Sequence, residues 1–218
     1  MTVSPVDLAS LLCSRLCHDM LSPVGALSNG LELLAEEKDP EMRQRCFELL
    51  EQSAKASADK LKFFRLAFGA AGGFGEQIPV NEARALIDAL AGSNGRVSVN
   101  WMFGVDALAK PAVKTLLNLA LIGLEALVRG GTLDIGAEVR ANGDLGGTTE
   151  IVVRAAGQRV AFDPTIAQAL EGTLPAGELS SRTAPAAMVH QLAASAGGGV
   201  QVHVTAESLV MGAVLPSA

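Results

Sequence analysis

The sequence predicts an α+β fold in which a helical hairpin precedes an α/β domain. Apolar residues recur at steps of three and four through the first third of the 218-residue chain, which is typical of one face of long helices. Four glycines then fall within 69–75, which favours a linker. Beyond them, helical patterns alternate with strand patterns along the sequence, as in folds with helices packed on a sheet. We therefore place a hairpin domain at 1–75 and an α/β domain at 76–218.

Two helices joined by a short turn account for the first domain. They are predicted over about 4–37 and 41–71, with Asp39 as a capping residue and Pro40 in the first turn of the second helix. The apolar face of the first helix comprises Leu12, Leu16, Met20, Val24, Leu27, Leu31 and Leu34. Because a single hairpin cannot cover all its apolar surface, we expect a homodimer in which two hairpins form a four-helix bundle.

The second domain shows helical and strand patterns in alternation. Helices are predicted over 80–91, 112–128 and 184–195. Strands are predicted over 97–102, 132–139, 150–154, 200–205 and 209–215. The last two strands form a terminal hairpin. We therefore expect a mostly antiparallel sheet with helices packed on it.

Composition excludes several classes of function. Hydrophobic residues make up 49% and charged residues 18% of the chain, so we expect a packed core. The net charge of −6, without a Lys/Arg cluster, argues against nucleic acid as a partner. The lack of a membrane-spanning apolar run and of a secretion signal predicts no membrane partner and a cytoplasmic location. Three cysteines make no disulfide framework, and we expect Cys13 and Cys17 to pack in the helical core.

The most informative motif lies between Cys17 and Pro23. His18 stands beside Asp19, and it lies about 200° around the helix from the apolar residues two positions away on either side. We therefore expect the imidazole to face solvent. Imidazole is nucleophilic near neutral pH, and a neighbouring carboxylate can hold one ring nitrogen while the other attacks a phosphoryl group. His18 and Asp19 are the predicted catalytic residues.

An outward stripe on the same helix is predicted to meet a partner. Ser22, Gly25 and Asn29 follow His18 at helical steps, and Arg15 precedes it by nearly one turn. Small and polar neighbours let another protein approach the imidazole closely. Arg15 offers positive charge and Ser22 a hydroxyl to a transferring phosphoryl group. These four residues are therefore predicted contacts of the phosphoryl group or of the partner.

The motif from His18 to Pro23 is similar to the H-box of bacterial sensor histidine kinases, which has the form His-Glu/Asp-x-x-x-Pro. The second half of the chain resembles their ATP-binding domain. Residues 116–122, followed by Gly130 and Gly131, are similar to the N-box helix, and 151–160 lies where the Asp-x-Gly-x-Gly box is expected. The resemblance implies that the second domain is a histidine-kinase ATPase-like α/β sandwich.

The residues that hold nucleotide in those kinases are replaced here. The magnesium-binding asparagine falls on Ile122, the adenine-binding aspartate on Ala155 and the second glycine of its box on Arg159. The last glycine-rich box falls around Thr183 and Pro185. An intact H-box beside a degenerate ATP-binding domain resembles the ChpT family of histidine phosphotransferases. The resemblance implies that the chain binds no ATP and has no cofactor of its own.

The resemblance also implies a phosphorelay with particular partners. The receiver domain of a CckA-like hybrid kinase would pass a phosphoryl group to His18, which would pass it to the aspartate of CtrA-like and CpdR-like response regulators. The receiver supplies Mg²⁺, so the chain needs no metal of its own. Two other interpretations stay open. One is an active histidine kinase with divergent nucleotide boxes, and the other is a non-catalytic dimeric adaptor that binds receivers.

Overall fold

The structure begins with a hairpin of two long helices. The computed structural model describes residues 4–70, 75–92, 95–141 and 147–217. The helices are α1 (Pro5–Glu36) and α2 (Pro40–Ala67), close to the predicted bounds. Residues 71–74 of the predicted linker lie outside the described residues. Among the helices that the structure describes, none is both long and apolar enough to cross a membrane.

Side chains at the tip of the hairpin hold the turn between its helices. Asp39 caps α2 as predicted, because its Oδ1 accepts a hydrogen bond from the backbone N–H of Glu41 at 3.3 Å. Nη1 of Arg43 donates to the backbone carbonyls of Leu34 and Glu37, at 2.9 Å each. These carbonyls belong to the end of α1, where no helical N–H follows to pair with them. Arg43 of α2 therefore supplies the donor that these last carbonyls of α1 lack.

The second part of the chain is a two-layer α/β domain. Its helices are α3 (Val80–Gly92), α4 (Lys110–Ala126), α5 (Pro164–Glu171) and α6 (Ala184–Ser195). Its strands are β1 (Gln77–Pro79), β2 (Val97–Phe103), β3 (Ala107–Ala109), β4 (Gly131–Ala141), β5 (Gly147–Ala156), β6 (Gly199–Val204) and β7 (Ser208–Ser217). Each helix and strand predicted for this domain is present, within a few residues at the ends.

Five strands form one sheet in the order β2-β4-β5-β7-β6. Strands β2 and β4 pair in parallel, and the other three pairs are antiparallel, which confirms the mostly antiparallel sheet. The short strands β1 and β3 form a separate antiparallel ribbon. The sequence did not reveal this ribbon or α5, because segments of three or eight residues are too short to show a clear period.

A shared hydrophobic core joins the hairpin to the α/β domain. Phe63 and Phe64 of α2 are buried in the core formed by the sheet and its helices. Near the start of α1, Leu8 and Leu12 pack in a second cluster with Met188 of α6. Burial of each such side chain contributes about 1.5–3 kcal/mol. The base of the hairpin is therefore fixed on the α/β domain, which sets where His18 lies.

One side of α1 remains apolar and exposed. Val6, Val24 and Leu31 are 73%, 49% and 58% exposed, and Cys13 and Cys17 are exposed as well. At 100° per residue, all five lie within about 20° of the direction of Val6. We call them the α1 apolar face. The prediction that Cys13 and Cys17 pack in the helical core is therefore wrong for the single chain. Val24 and Leu31, which were predicted on the apolar face of the first helix, are also uncovered in the single chain, because the hairpin contact uses other sides of α1.

Candidate functional site

His18 lies on an exposed part of α1. Its side chain is 81% exposed, which confirms the predicted orientation. Nδ1 lies 3.1 Å from Oδ1 of Asp19, within hydrogen-bonding distance. When Nδ1 carries the ring proton, it donates to this carboxylate and leaves Nε2 with a free lone pair. The two residues therefore present a nucleophilic nitrogen on an accessible ring.

A second contact fixes the other carboxylate oxygen of Asp19. Nε of Arg15 donates to Oδ2 of Asp19 at 2.8 Å, and Nη2 of Arg15 pairs with Oε1 of Glu125, which lies on α4. The side chains of Arg15 and Asp19 are only 9% and 17% exposed. Charge-assisted hydrogen bonds are stronger where water is partly excluded. The α/β domain therefore helps to orient Asp19, and through it His18, by way of Glu125.

The prediction that Arg15 belongs to the outward stripe is wrong. Because Arg15 precedes His18 by three residues, it lies about 60° farther around α1, toward the buried side of the helix. The residue is buried, and two carboxylates share its guanidinium. The positive charge of Arg15 is therefore already balanced by these two carboxylates.

The remaining residues of the predicted stripe lie outside the pocket of His18. Ser22 and Asn29 are exposed and Gly25 is half-buried, as an outward stripe requires. Ser22 lines a separate groove of about 670 Å³ among α1, α2 and α3. The axial rise of a helix places Asn29 about 16 Å from His18. Direct contact of these three residues with a partner stays a prediction.

Pro23 leaves the backbone carbonyl of Asp19 without a helical donor. In a regular helix, the carbonyl of Asp19 would accept from the N–H of residue 23, but proline has none. Nζ of Lys60, from α2, donates to this carbonyl at 2.9 Å. An interhelical hydrogen bond thus replaces a helical one. Asp19 is consequently tied to α2 through its main chain and to α4 through Arg15.

Residues from both parts of the chain form the pocket around His18. The pocket has a volume of about 400 Å³ and is lined by Arg15, His18, Asp19, Glu125, Ser181 and Arg182. The sequence did not predict that Glu125, Ser181 and Arg182 line this pocket, or that Lys60 binds the carbonyl of Asp19. These residues lie far from His18 along the chain, so no local spacing could reveal that they come near it.

The positions aligned with nucleotide-binding residues lie mostly in the core. Ile122, Ala155 and Thr183 are 4%, 0% and 2% exposed, and Pro185 is buried. The β-methyl group of Ala155 occupies a position on β5 between Leu133 of β4 and Leu209 of β7. Ile122 and Ala155 belong to the main hydrophobic core. Within the described ranges, no three His, Cys, Asp or Glu residues cluster as a metal site requires.

Known proteins of one kind resemble this chain along nearly its whole length. Residues 80–208 match the model of the histidine phosphotransferase C-terminal domain. Over 214 residues, the chain is 36% identical to the protein phosphotransferase ChpT of Brucella abortus (strain 2308), and the match covers 97% of both proteins. This chain belongs to the histidine phosphotransferase family.

A solved structure agrees with this membership. The fold matches that of a bacterial phosphotransferase with a TM-score of 0.81 and 34% identity over 98% of both chains. The predicted α+β fold and the predicted phosphotransferase class are therefore confirmed. In this histidine phosphotransferase, the pocket around His18 is the candidate active site.

Loss of the amine of Lys60 should destabilise the phosphotransferase only while residue 23 is proline. Lys60→Met leaves the carbonyl of Asp19 without its donor, so we expect the free energy of unfolding to fall by about 1–2 kcal/mol. In the Pro23→Ala background, the alanine N–H restores a donor, and the same change should cost less than about 0.5 kcal/mol. Urea unfolding at one protein concentration measures both costs.

The neighbouring Lys62, which is exposed on α2, provides the control. Lys62→Met should change the unfolding free energy by less than about 0.5 kcal/mol in either background. Equal losses from Lys60→Met in the wild-type and Pro23→Ala backgrounds would contradict the replacement of the helical hydrogen bond by Lys60.

Proposed function

We propose that this phosphotransferase relays a phosphoryl group between receiver domains through Nε2 of His18. The donor is the phospho-aspartate of a CckA-like hybrid kinase, and the acceptors are the aspartates of CtrA-like and CpdR-like response regulators. The observation that carries the proposal is the exposed imidazole, with Nδ1 of His18 against Asp19. Membership of the family supports phosphotransfer, and the resemblance to the ChpT family supports this choice of partners.

The proposed transfer exchanges one bond to phosphorus for another. Nε2 attacks the acyl phosphate, so an N–P bond forms as the P–O bond breaks and the donor carboxylate leaves. Asp19 stabilises the cationic ring that results, because its carboxylate accepts from Nδ1–H. The second receiver reverses the step, since its carboxylate attacks and neutral imidazole leaves. Mg²⁺ bound by the receiver would neutralise phosphoryl charge, and the described residues of this chain form no cluster of His, Cys, Asp or Glu that could hold a metal ion.

We also propose that ATP has no part in this relay. The alkyl side chain of Ile122 offers no oxygen or nitrogen to a magnesium ion. Ala155 has no acceptor for the amino group of adenine. Both side chains are buried and apolar, so no change of rotamer at either position could supply the missing oxygen or nitrogen atom. The phosphoryl group would therefore come from a receiver.

A second copy of the chain is proposed to cover the α1 apolar face. Exposed apolar surface of this length is unusual on a protein that acts alone. On α2, Phe47 is also 50% exposed. Pairing of two hairpins through these surfaces would form the predicted four-helix bundle. The exposed thiols of the face suit the reducing cytoplasm, where we place the protein.

Replacement of His18 should abolish phosphorylation. A CckA-like receiver carrying a radiolabelled phosphoryl group is expected to label the wild-type chain, which then labels a CtrA-like receiver. His18→Ala lacks the nucleophile, so we expect its labelling to fall to background. His203, an exposed histidine on β6, provides the matched control. His203→Ala should be labelled at the wild-type rate.

The same assay separates the alternatives. Equal labelling of His18→Ala and the wild type would contradict the proposed carrier. Labelling by ATP and Mg²⁺ without a receiver would show an active kinase. Receiver binding that survives His18→Ala, together with no transfer by the wild type, would show a non-catalytic adaptor.

A charge on the α1 apolar face should dissociate the proposed dimer. Leu31→Glu places a carboxylate in the seam, where burying it is costly. We expect the mass measured by sedimentation equilibrium to fall from that of two chains to that of one. Leu33→Glu is the matched control, because Leu33 is as exposed as Leu31, at 59% and 58%. Leu33 points to nearly the opposite side of α1, away from the proposed seam. A monomeric wild type, or dissociation by both changes, would refute this seam.

A further inference from the structure

The transfer at His18 requires positive charge that Arg15 does not provide. A phosphoryl group carries about two negative charges during transfer, spread over its oxygens. In the pocket, the carboxylates of Asp19 and Glu125 both pair with the single guanidinium of Arg15. These three groups together carry one net negative charge. Lys60 adds a positive charge near Asp19, but its ammonium binds the main-chain carbonyl of that residue and does not line the pocket. A phosphoryl group on Nε2 therefore needs a further cation on the pocket side of Asp19.

Arg182 is the second cation that lines this pocket. Its side chain is 64% exposed and is paired with Oδ2 of Asp163 at 3.5 Å. That separation exceeds the usual length of a charge-assisted hydrogen bond, so the guanidinium is held loosely. Its five N–H donors form a planar fork that matches the oxygens of a phosphoryl group. The charge of Arg182 is therefore available at the site.

Asp163 does not depend on Arg182 for its partners. As the cap of α5, it accepts hydrogen bonds from the backbone N–H and the hydroxyl of Thr165, at 3.0 and 2.8 Å. These bonds, together with the charge of Arg182, hold the pKa of Asp163 below its usual value. The carboxylate thus keeps two donors when the guanidinium moves away. Release of Arg182 breaks only one long, solvent-exposed ion pair, which is worth little.

A hydrogen-bonded turn presents Arg182 to the pocket. The backbone N–H of Ser180 donates to Oγ1 of Thr183 at 3.0 Å, and the backbone N–H of Thr183 donates to the carbonyl of Ser180 at 3.1 Å. Thr183 is 2% exposed, so this end of the turn is anchored in the core. The helix that follows, α6, packs on the start of α1. Both sides of the pocket are therefore positioned by the same packing.

We propose that Arg182 is a catalytic residue that binds the phosphoryl group at His18. Its guanidinium turns from Asp163 and donates to two phosphoryl oxygens while phosphorus moves to and from Nε2. No bond to Arg182 forms or breaks, since its contribution is to offset negative charge. This inference rests on the proposed role of His18 and gives the α/β domain a direct part in the chemistry.

Single-turnover transfer from a labelled receiver tests the role of Arg182. Arg182→Gln removes the charge, and we expect the rate constant at saturating receiver to fall by about tenfold or more. Arg182→Lys keeps the charge without the fork and should fall between this variant and the wild type. The Kd for the unphosphorylated receiver should change less than the rate constant does, because the phosphoryl group is absent from that complex.

Arg140 offers a closely matched control. Its side chain is 63% exposed and pairs with Glu138 and Glu150. It lies nine residues beyond Gly131, the strand end nearest α4, so it is about 30 Å along β4 from that end. Arg140→Gln should therefore transfer at the wild-type rate.

Each departure from these results overturns the inference. A wild-type rate constant for Arg182→Gln at saturating receiver would show that its charge is not used. A loss confined to Kd would make Arg182 a docking residue, and an equal loss in Arg140→Gln would reflect general surface charge. His18→Ala, assayed in parallel, distinguishes failure of the relay through His18 from failure of the role of Arg182. Its labelling would contradict the relay itself, whereas an inactive His18→Ala beside a fully active Arg182→Gln would contradict only the role of Arg182.

Discussion

The contacts of Asp19 determine how the ring of His18, the proposed nucleophile, is oriented. One carboxylate oxygen faces Nδ1 of His18, the other accepts from Arg15, and the main-chain carbonyl accepts from Lys60. Through Arg15, the network continues to Glu125 on α4. Three helices are thus joined at the residue beside the imidazole. An exposed histidine samples several rotamers, and a fixed carboxylate favours those that leave Nε2 outward.

The same junction explains which parts of the site could be predicted from the sequence. His18, Asp19 and Pro23 lie within six residues of one another, so their helical geometry follows from their spacing. The environment of Arg15 does not, because its second partner, Glu125, is 110 positions away. The helices and longer strands were predicted for a similar reason, since their burial pattern repeats locally. Cys13 and Cys17 were expected in the core because periodicity identifies an apolar face but does not show whether anything in the same chain packs against it.

The α/β domain buries most of the positions aligned with nucleotide-binding residues and also directs a surface at His18. Helix α4 illustrates both features within one turn. Ile122 is buried in the core, whereas Glu125, three residues later, reaches Arg15 at the pocket. The turn before α6 likewise buries Thr183 and exposes Arg182. A domain with this arrangement contributes position and charge to the histidine, which is consistent with phosphotransfer that draws on a receiver.

The atom that bears phosphorus tests the proposed chemistry most directly. The chain, labelled with ¹⁵N in its histidines and phosphorylated by a receiver, can be examined by NMR through the coupling of ³¹P to the ring nitrogens. We expect phosphorus to couple to Nε2 of His18, with the proton on Nδ1 where Asp19 accepts it. Coupling to Nδ1 of His18, or a phosphoryl group on any other residue, would contradict a nucleophile oriented by Asp19.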